Sequence, residues 1–248
     1  MSDNTCCSRS FPWAILVGLV AIAITAYALH TGLTHFRSAD RFVTVKGLAT
    51  QDVEADLAIW SLTHTVTGND LTSVQADLEN DGNKVRSFLL ENGIKEDDLR
   101  LQGVQVTDLM AQTYRSGDIG GARYIIAQTF IIRTNDLDSI GKASENLGSL
   151  VRKGVVLGNP NGGYNAAPQY IFTKLNDVKP NLLADASKNA REAANQFAND
   201  AGLRVGDIKN ASQGVIEIQP RDPVMGISEG EQRYKTVRVV VTLQYTLK

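Results

Sequence analysis

The stretch Gly202-Leu203-Arg204-Val205-Gly206-Asp207-Ile208 decides the fold class, because it predicts the end of a helix followed by a strand. A glycine in the left-handed conformation closes a helix, and the apolar residue after it folds back onto the last turn. The same junction recurs as Gly93-Ile94 with Asp98-Leu99. The two junctions fit a two-fold β-α-β-β repeat, and they fit shared turn chemistry equally well.

Working outward, three segments have apolar residues spaced three and four apart, which is typical of amphipathic helices. They run from Leu71 to Leu89, from Leu137 to Leu150 and from Leu182 to Ala201. The middle helix stops at Gly154-Val155, as the others stop at their glycines. The candidate N-caps are Asn69 or Asp70, Asn135 and Asp177, with Pro180 in the first turn of the third helix.

Strand character lies between these helices. It is clearest from Val237 to Leu247, where apolar residues alternate with polar ones. Further β-branched and aromatic runs are Phe42–Val45, Leu57–Val66, Leu99–Val106, Tyr124–Arg133, Tyr170–Thr173 and Val215–Ile218. No helix separates Leu99–Val106 from Tyr124–Arg133, which predicts a long-looped hairpin. The fold class is therefore α+β, with antiparallel sheets and helices packed on one face.

One N-terminal run, Phe11–Leu29, carries no charge. As a helix rising about 1.5 Å per residue, it nearly matches the hydrocarbon core of a bilayer. Residues 1–10 are then a short tail, 11–29 a transmembrane anchor, 30–40 a linker and 41–248 one globular domain. A cleaved signal peptide is the alternative, because Ala26-Tyr27-Ala28 has the small-x-small form of a cleavage site.

Either alternative exports residues 41–248, and we expect a single-pass protein of the inner membrane with this domain in the periplasm. Arg9 on one side and Arg37, Arg41 and Lys46 on the other do not support that orientation by charge. The expectation depends on the absence of cysteine after Cys7, which also excludes disulfides and thiolate metal sites from the domain.

Net charge argues against a nucleic-acid partner. Residues 38–248 hold 23 of the 25 basic and 26 of the 27 acidic side chains, without a basic cluster. Phosphate neutralisation needs clustered Lys and Arg.

The sequence contains no recognisable catalytic or binding motif, so it predicts no catalytic, cofactor-binding or metal residue and no cofactor. His64 lies in a predicted strand and is expected to face solvent rather than to act as a base. The glycine-rich stretches 117–121 and 158–163 do not open helices, as phosphate loops do. Glu91–Asp98 lacks the alternation of a calcium loop, and the Asn210 sequon is taken as chance.

Several motifs resemble the SIMPL domain family. They are Gly47-Leu48-Ala49 with Val53, Asp56 and Ala58, then Leu89, Asn92-Gly93-Ile94 and Asp98-Leu99, then Tyr124 and Gln128, and finally the Ala-rich helix from Ala184 to Leu203 with its Ala190-Arg191 pair. The departures are Ala49, where a second glycine is common, and the missing proline before Asp56. The resemblance implies an exported bacterial envelope protein. Some members are immunogenic antigens, some are linked to oxidative stress tolerance and some form rings.

Two hypotheses follow. The first is a non-catalytic, membrane-anchored envelope protein that self-associates or holds envelope partners through sheet edges and loops. The alternative is a small-ligand-binding or enzymatic domain that uses the long loops Thr107–Ala122 and Asn159–Ala167.

Overall fold

The computed structural model describes residues 17–28, 41–111, 121–158 and 167–248. Helix α1 covers residues 17–28. The order after it is β1 (Phe42–Glu54), β2 (Leu57–Gly68), α2 (Leu71–Glu91), β3 (Leu99–Asp108), β4 (Tyr124–Thr134), α3 (Leu137–Glu145), α4 (Gly148–Arg152), β5 (Gln169–Ile171), α5 (Leu175–Asp200), β6 (Val205–Gln213), β7 (Glu217–Pro220) and β8 (Tyr234–Leu247). Short 3-10 turns occupy Glu96–Asp98 and Glu229–Glu231.

The strands form two four-stranded sheets. In the first sheet the order is β1-β8-β6, and β7 also pairs with β8. In the second sheet the order is β3-β4-β2-β5, and its neighbouring strands are all antiparallel. The predicted α+β class is confirmed, and so is the hairpin of β3 with β4.

The chain divides into two compact units. The first comprises the described residues within 1–49, 183–215 and 239–248, and the second comprises those within 50–182 and 216–238. In the second unit, α2 packs on β2 and β4. The core there is centred on fully buried Trp60, Leu62, Phe88 and Ile132. This burial is what the helical and strand periods of these segments predict.

In the first unit, α5 presents a face of small residues. Ala186, Ala190, Ala194 and Ala198 are buried along it. Gly47 of β1 lies so close that an added Cβ would overlap the Ala186 carbonyl oxygen and stand 2.8 Å from Ala190 Cβ. The alanines and this glycine therefore set how closely the helix and strand backbones approach.

The predicted helix ends are confirmed. Gly93, Gly154 and Gly202 have φ values of 92°, 86° and 70°. The N–H of the next apolar residue bonds back to a carbonyl of the last turn in each case, as in Leu203 N–H to Ala198 O at 2.8 Å. The middle helix is divided into α3 and α4.

The predicted helix starts are partly wrong. Asp70 does cap α2, because its side chain accepts from Ser73 N–H. The cap of α3 is Asp136 rather than Asn135, whose side chain instead donates to the Asp56 carbonyl. Helix α5 begins at Leu175, so Asp177 lies in its first turn and Pro180 lies inside the helix.

The pairing of the strands differs from the two-fold β-α-β-β repeat that the sequence suggested. Strands β2, β3 and β4 share one sheet and α2 packs on it, so this β-α-β-β unit is contiguous. The strand before α5 is β5, and it pairs with β2 in the second sheet. The strand that pairs with β8 in the first sheet is β1, from the other end of the chain. A contiguous second unit is therefore wrong.

Helix α1 lies within the predicted anchor of residues 11–29. The rest of the predicted anchor, residues 11–16 and 29, lies outside the described part, and so do the predicted tail (residues 1–10) and linker (residues 30–40). The predicted domain is described from its first residue, 41. None of the helices in the described ranges combines the length and the apolar character that a membrane crossing requires.

Candidate interaction surface

Strand β3 forms one edge of the second sheet and pairs only with β4 among the described strands. At the opposite edge of that sheet, the outer edge of β2 is covered first by β5 and then by residues 156–158. Gly158 N–H there donates to Thr63 O at 3.0 Å. Strand β3 is ten residues long, and every second backbone N–H and C=O along it points away from β4. It is a long open edge, the kind that pairs readily with another chain.

The side of β3 that faces α2 is apolar. Its register with β4 places Leu101 opposite Phe130, Val104 opposite Gln128 and Val106 opposite Ile126. Yet Leu101, Val104 and Val106 are 59%, 51% and 53% exposed. Helix α2 packs on β2 and β4, so these three residues, which we call the β3 strip, extend the core face beyond the helix.

A bulge keeps the β3 strip on one face. The register shifts between Gln102 and Val104, so Gly103 is an extra residue. Without it, Leu101 and Val104 would point to opposite sides of the sheet, because side chains alternate along a strand. The bulge therefore produces the strip from residues that simple alternation would divide.

A groove of about 300 Å³ lies between the β3 strip and α2. Its walls are mostly apolar, with Gln75, Glu79 and Gln128 as the polar members; the apolar lining residues are Leu71, Leu78, Val104, Val106 and Ile126. The strip and the groove form one continuous apolar surface beside an open strand edge.

An ion pair fixes the end of the β3–β4 hairpin. Arg123 donates from Nη2 to Asp108 Oδ2 at 2.9 Å and from Nε to Asp108 Oδ1 at 3.2 Å. The hydrogen bonds from this guanidinium hold the pKa of Asp108 below its ordinary value, and the carboxylate raises the pKa of Arg123. Arg123 N–H also donates to Asn69 Oδ1 at 2.9 Å, which ties the hairpin to the start of α2.

His64 is buried, so its predicted exposure to solvent is wrong. Its Nε2 lies 3.4 Å from the Leu78 carbonyl oxygen of α2, and its Nδ1 has no hydrogen-bond partner among the residues that the structure describes. The ring stacks on Phe130, with centroids 5.9 Å apart. Burial lowers the pKa of His64, although the Leu78 carbonyl and the Asp81 carboxylate oppose the shift. The ring is thus a neutral member of the core under α2.

The sequence held a signal for this burial. Trp60, Leu62 and His64 are two residues apart in one strand, so all three share a face, and the first two are core residues. Gly82 of α2 lies over this ring: an added Cβ would stand at an ordinary contact distance of 3.8 Å from His64 Nε2 and more tightly, at 3.2 Å, against Gln128 Oε1.

The other sequence candidates come together in no common site within the described ranges. Residues 112–120 and 159–166 are outside the described part, and with them most of the loops 107–122 and 159–167 and of the glycine-rich stretches 117–121 and 158–163. The acidic stretch Glu91–Asp98 is a turn in which Glu96 pairs with Arg86. Asn210 lies in β6 opposite Gln244. The described residues hold no metal-binding group of three or more His, Cys, Asp or Glu.

A second concavity, of about 510 Å³, lies beside β5 and β7. Ile59, Tyr170, Phe172 and Ile218 line it, together with polar Gln169 and Glu229. Burial raises the pKa of Tyr170. Behind Glu229, buried Lys235 donates from Nζ to the Glu229 carbonyl at 2.7 Å and also contacts its carboxylate. The sequence did not single out any of these residues.

Comparison with known proteins places the whole globular part in one family. Residues 43–245 match the SIMPL family, which is described as protein of unknown function (DUF541). None of the curated proteins compared with the chain matches it. Since the match spans most of the 248 residues, this protein belongs to the SIMPL family.

Proposed function

We propose that this protein is a non-catalytic, membrane-anchored protein of the bacterial cell envelope that self-associates, and that it also scaffolds envelope partners. The observation that carries the proposal is the β3 strip beside an unpaired strand edge. A long edge strand with exposed apolar side chains is normally blunted by charges or covered, because it invites pairing. Leu101 to Val106 has neither a charge nor a proline.

Physical chemistry favours occupation of this edge. Each hydrogen bond gained by a strand edge contributes about 1 kcal/mol net. Burial of apolar side chains contributes about 25 cal/mol per Å². Strand β3 supplies both contributions, because its open edge offers the hydrogen bonds and the β3 strip offers the apolar surface. Apolar residues that are exposed singly on a protein surface need no partner.

The anchor is the second part of the proposal. Residues 11–29 cross the inner membrane once and leave the SIMPL domain in the periplasm. The uncharged run Phe11–Leu29 supports this placement, and the family resemblance supports export. Protease added to spheroplasts is expected to digest the domain, and protection of the domain until lysis would contradict this orientation. A contribution to envelope or oxidative stress tolerance belongs to the same proposal and is supported by the resemblance alone.

Self-association is tested with the full chain. Membranes are solubilised in mild detergent, and the protein mass is measured by light scattering with correction for bound detergent. We expect assemblies of two or more 26.9 kDa chains. Crosslinking in intact membranes serves as the detergent-free control. A monomer in detergent, together with no crosslinked product in membranes, would reject the proposal.

The cleft beside β5 and β7 favours a second candidate function, the binding of a small apolar ligand. Its mostly apolar lining with two polar groups is typical of ligand sites. The fluorescent probe 1-anilinonaphthalene-8-sulfonate is expected to bind the wild type and to bind Ile218→Glu more weakly. Val224→Glu, at an exposed position outside the cleft lining, is the control. Equal fluorescence for all three proteins would reject this candidate.

A further inference from the structure

We propose that two copies pair antiparallel along β3, with the two-fold axis beside Gly103 and Val104, so that their second sheets join into one continuous sheet. This inference rests on the proposed self-association and identifies the surface and the register that produce it.

The first argument is the self-complementary pattern of the edge. The central segment of β3 is Leu101-Gln102-Gly103-Val104-Gln105-Val106. From either end it begins with an apolar residue followed by a glutamine, so the pattern is symmetric about the point between Gly103 and Val104. Antiparallel pairing about that centre places Leu101 opposite the partner's Val106 and Gln102 opposite the partner's Gln105. Each pair then joins two apolar or two amide side chains, which are favourable cross-strand neighbours.

The bulge makes this pairing consistent with the faces of the sheet. The β3–β4 register places Leu101 and Val106 on the side of α2, and it places Gln102 and Gln105 on the other side. Paired residues of two strands must share a face. Because Gly103 is the extra residue, both pairs satisfy that rule, and a strand without the bulge would not.

Charge is compatible with the same register. The six central residues carry no charge, so no like charges meet across the axis. In this register Arg100 of one copy and Asp108 of the other copy lie at the same end of the paired strands. The two Arg100 side chains lie at opposite ends of the pair. Asp108 is already paired with Arg123 of its own chain, so each end keeps the single positive charge of Arg100, and the two charges are separated by the length of the paired segment.

Steric room exists at the axis. Among the described strands β3 pairs only with β4, so its outer edge is open, and a Cβ added at Gly103 would meet nothing within 4 Å, so no side chain of the same copy crowds the axis. The two β3 strips would meet on the α2 side and extend the apolar grooves of both copies. This burial covers Leu101, Val104 and Val106, which each copy alone leaves at least half exposed.

The comparable edge of the first sheet, β6, does not offer this geometry. Its register with β8 shifts twice, at residues 205–208 and 208–210, and it carries Asp207 and Lys209 near its middle. Charges near the middle of an edge strand protect it from pairing, and the six central residues of β3 carry none. Strand β6 therefore serves as the internal control.

Disulfide trapping tests the register in the full chain. In a Cys6→Ser, Cys7→Ser background, two differently tagged variants, Gln102→Cys and Gln105→Cys, are expressed together and oxidised in membranes. Opposed Cβ atoms in antiparallel strands lie about 5 Å apart, close enough for a disulfide after small adjustment. We expect a covalent dimer that carries both tags. Ser212→Cys in β6 is the matched control and should remain monomeric on a non-reducing gel.

The outcomes separate the two proposals. If light scattering shows an assembly but the disulfide forms only between Ser212→Cys copies, or only between identical Gln102→Cys copies, the β3 register is wrong and self-association stands. If neither light scattering nor membrane crosslinking detects an assembly, both proposals fail. A dimer that carries both tags, without the β6 product, confirms the β3 register.

Discussion

His64 Nε2 lies 3.4 Å from the carbonyl oxygen of Leu78, so a buried imidazole of β2 meets the backbone of α2. The other ring nitrogen, Nδ1, has no partner among the described residues. A neutral ring tolerates this position, and a protonated ring would leave a charge in the core opposed only in part by Asp81.

We therefore expect the free energy of unfolding to fall as the pH falls below about 6.5, the unfolded pKa of histidine. The folded pKa is lowered, so the unfolded chain takes up the proton first and stability drops until the folded pKa is reached. One pH unit below 6.5, the loss is at most about 1.4 kcal/mol. Urea unfolding of wild type and His64→Gln at pH 7.5 and 5.5 measures it. An equal pH dependence of both proteins would contradict the burial.

Gly47→Ala is expected to destabilise the first unit. The new methyl group would overlap the Ala186 carbonyl oxygen, so α5 or β1 must shift, at a cost of about 1–3 kcal/mol. Leu48→Ala, at the exposed neighbouring position, should change stability by about 0.5 kcal/mol or less. Thermal unfolding followed by circular dichroism compares them. Equal melting temperatures for the two variants would show that this close approach does not exist.

Gly202→Val is expected to lose about 1–2 kcal/mol through backbone strain, because φ at this position is 70°. Steric overlap does not contribute, since an added Cβ would meet nothing within 4 Å. Gly202→Asn should lose less, because Asn adopts the left-handed conformation more easily. Urea unfolding ranks the three proteins. If Asn and Val cost the same, the left-handed helix end is not the cause.

Leu101→Lys and Val104→Lys should weaken or abolish self-association without unfolding the protein. Both side chains are more than half exposed, so the folded monomer tolerates a lysine there within about 0.5 kcal/mol. In an antiparallel pair of β3 strands, each lysine would meet an apolar or like-charged surface. Light scattering of the full chain gives the mass. Val215→Lys, at an 81% exposed position outside β3, is the control and should leave the assembly unchanged.

Much of this fold could be predicted from local pattern. Alternation identified β8, two strand-like runs with no helix between them indicated the β3–β4 hairpin, and the glycines marked the three helix ends. A strand after the Gly202-Leu203 junction was predicted, but the bounds of β6 were not, because β6 is an exposed edge and nothing selects for alternating apolar residues along it. The start of α5 was misplaced because proline inside a helix removes only one hydrogen bond, and the packing of the rest of a long helix can offset that loss.

By itself, the sequence determined which segments are helices and which are strands, where three helices end and which family the domain resembles. These properties depend on neighbours in the chain and on side-chain periodicity. Tertiary structure alone decided that β1 rather than β5 pairs with β8 and that the β3 strip is exposed. Each of these is settled by a contact between distant segments, and no local spacing of residues specifies which distant segment covers a face or leaves it open.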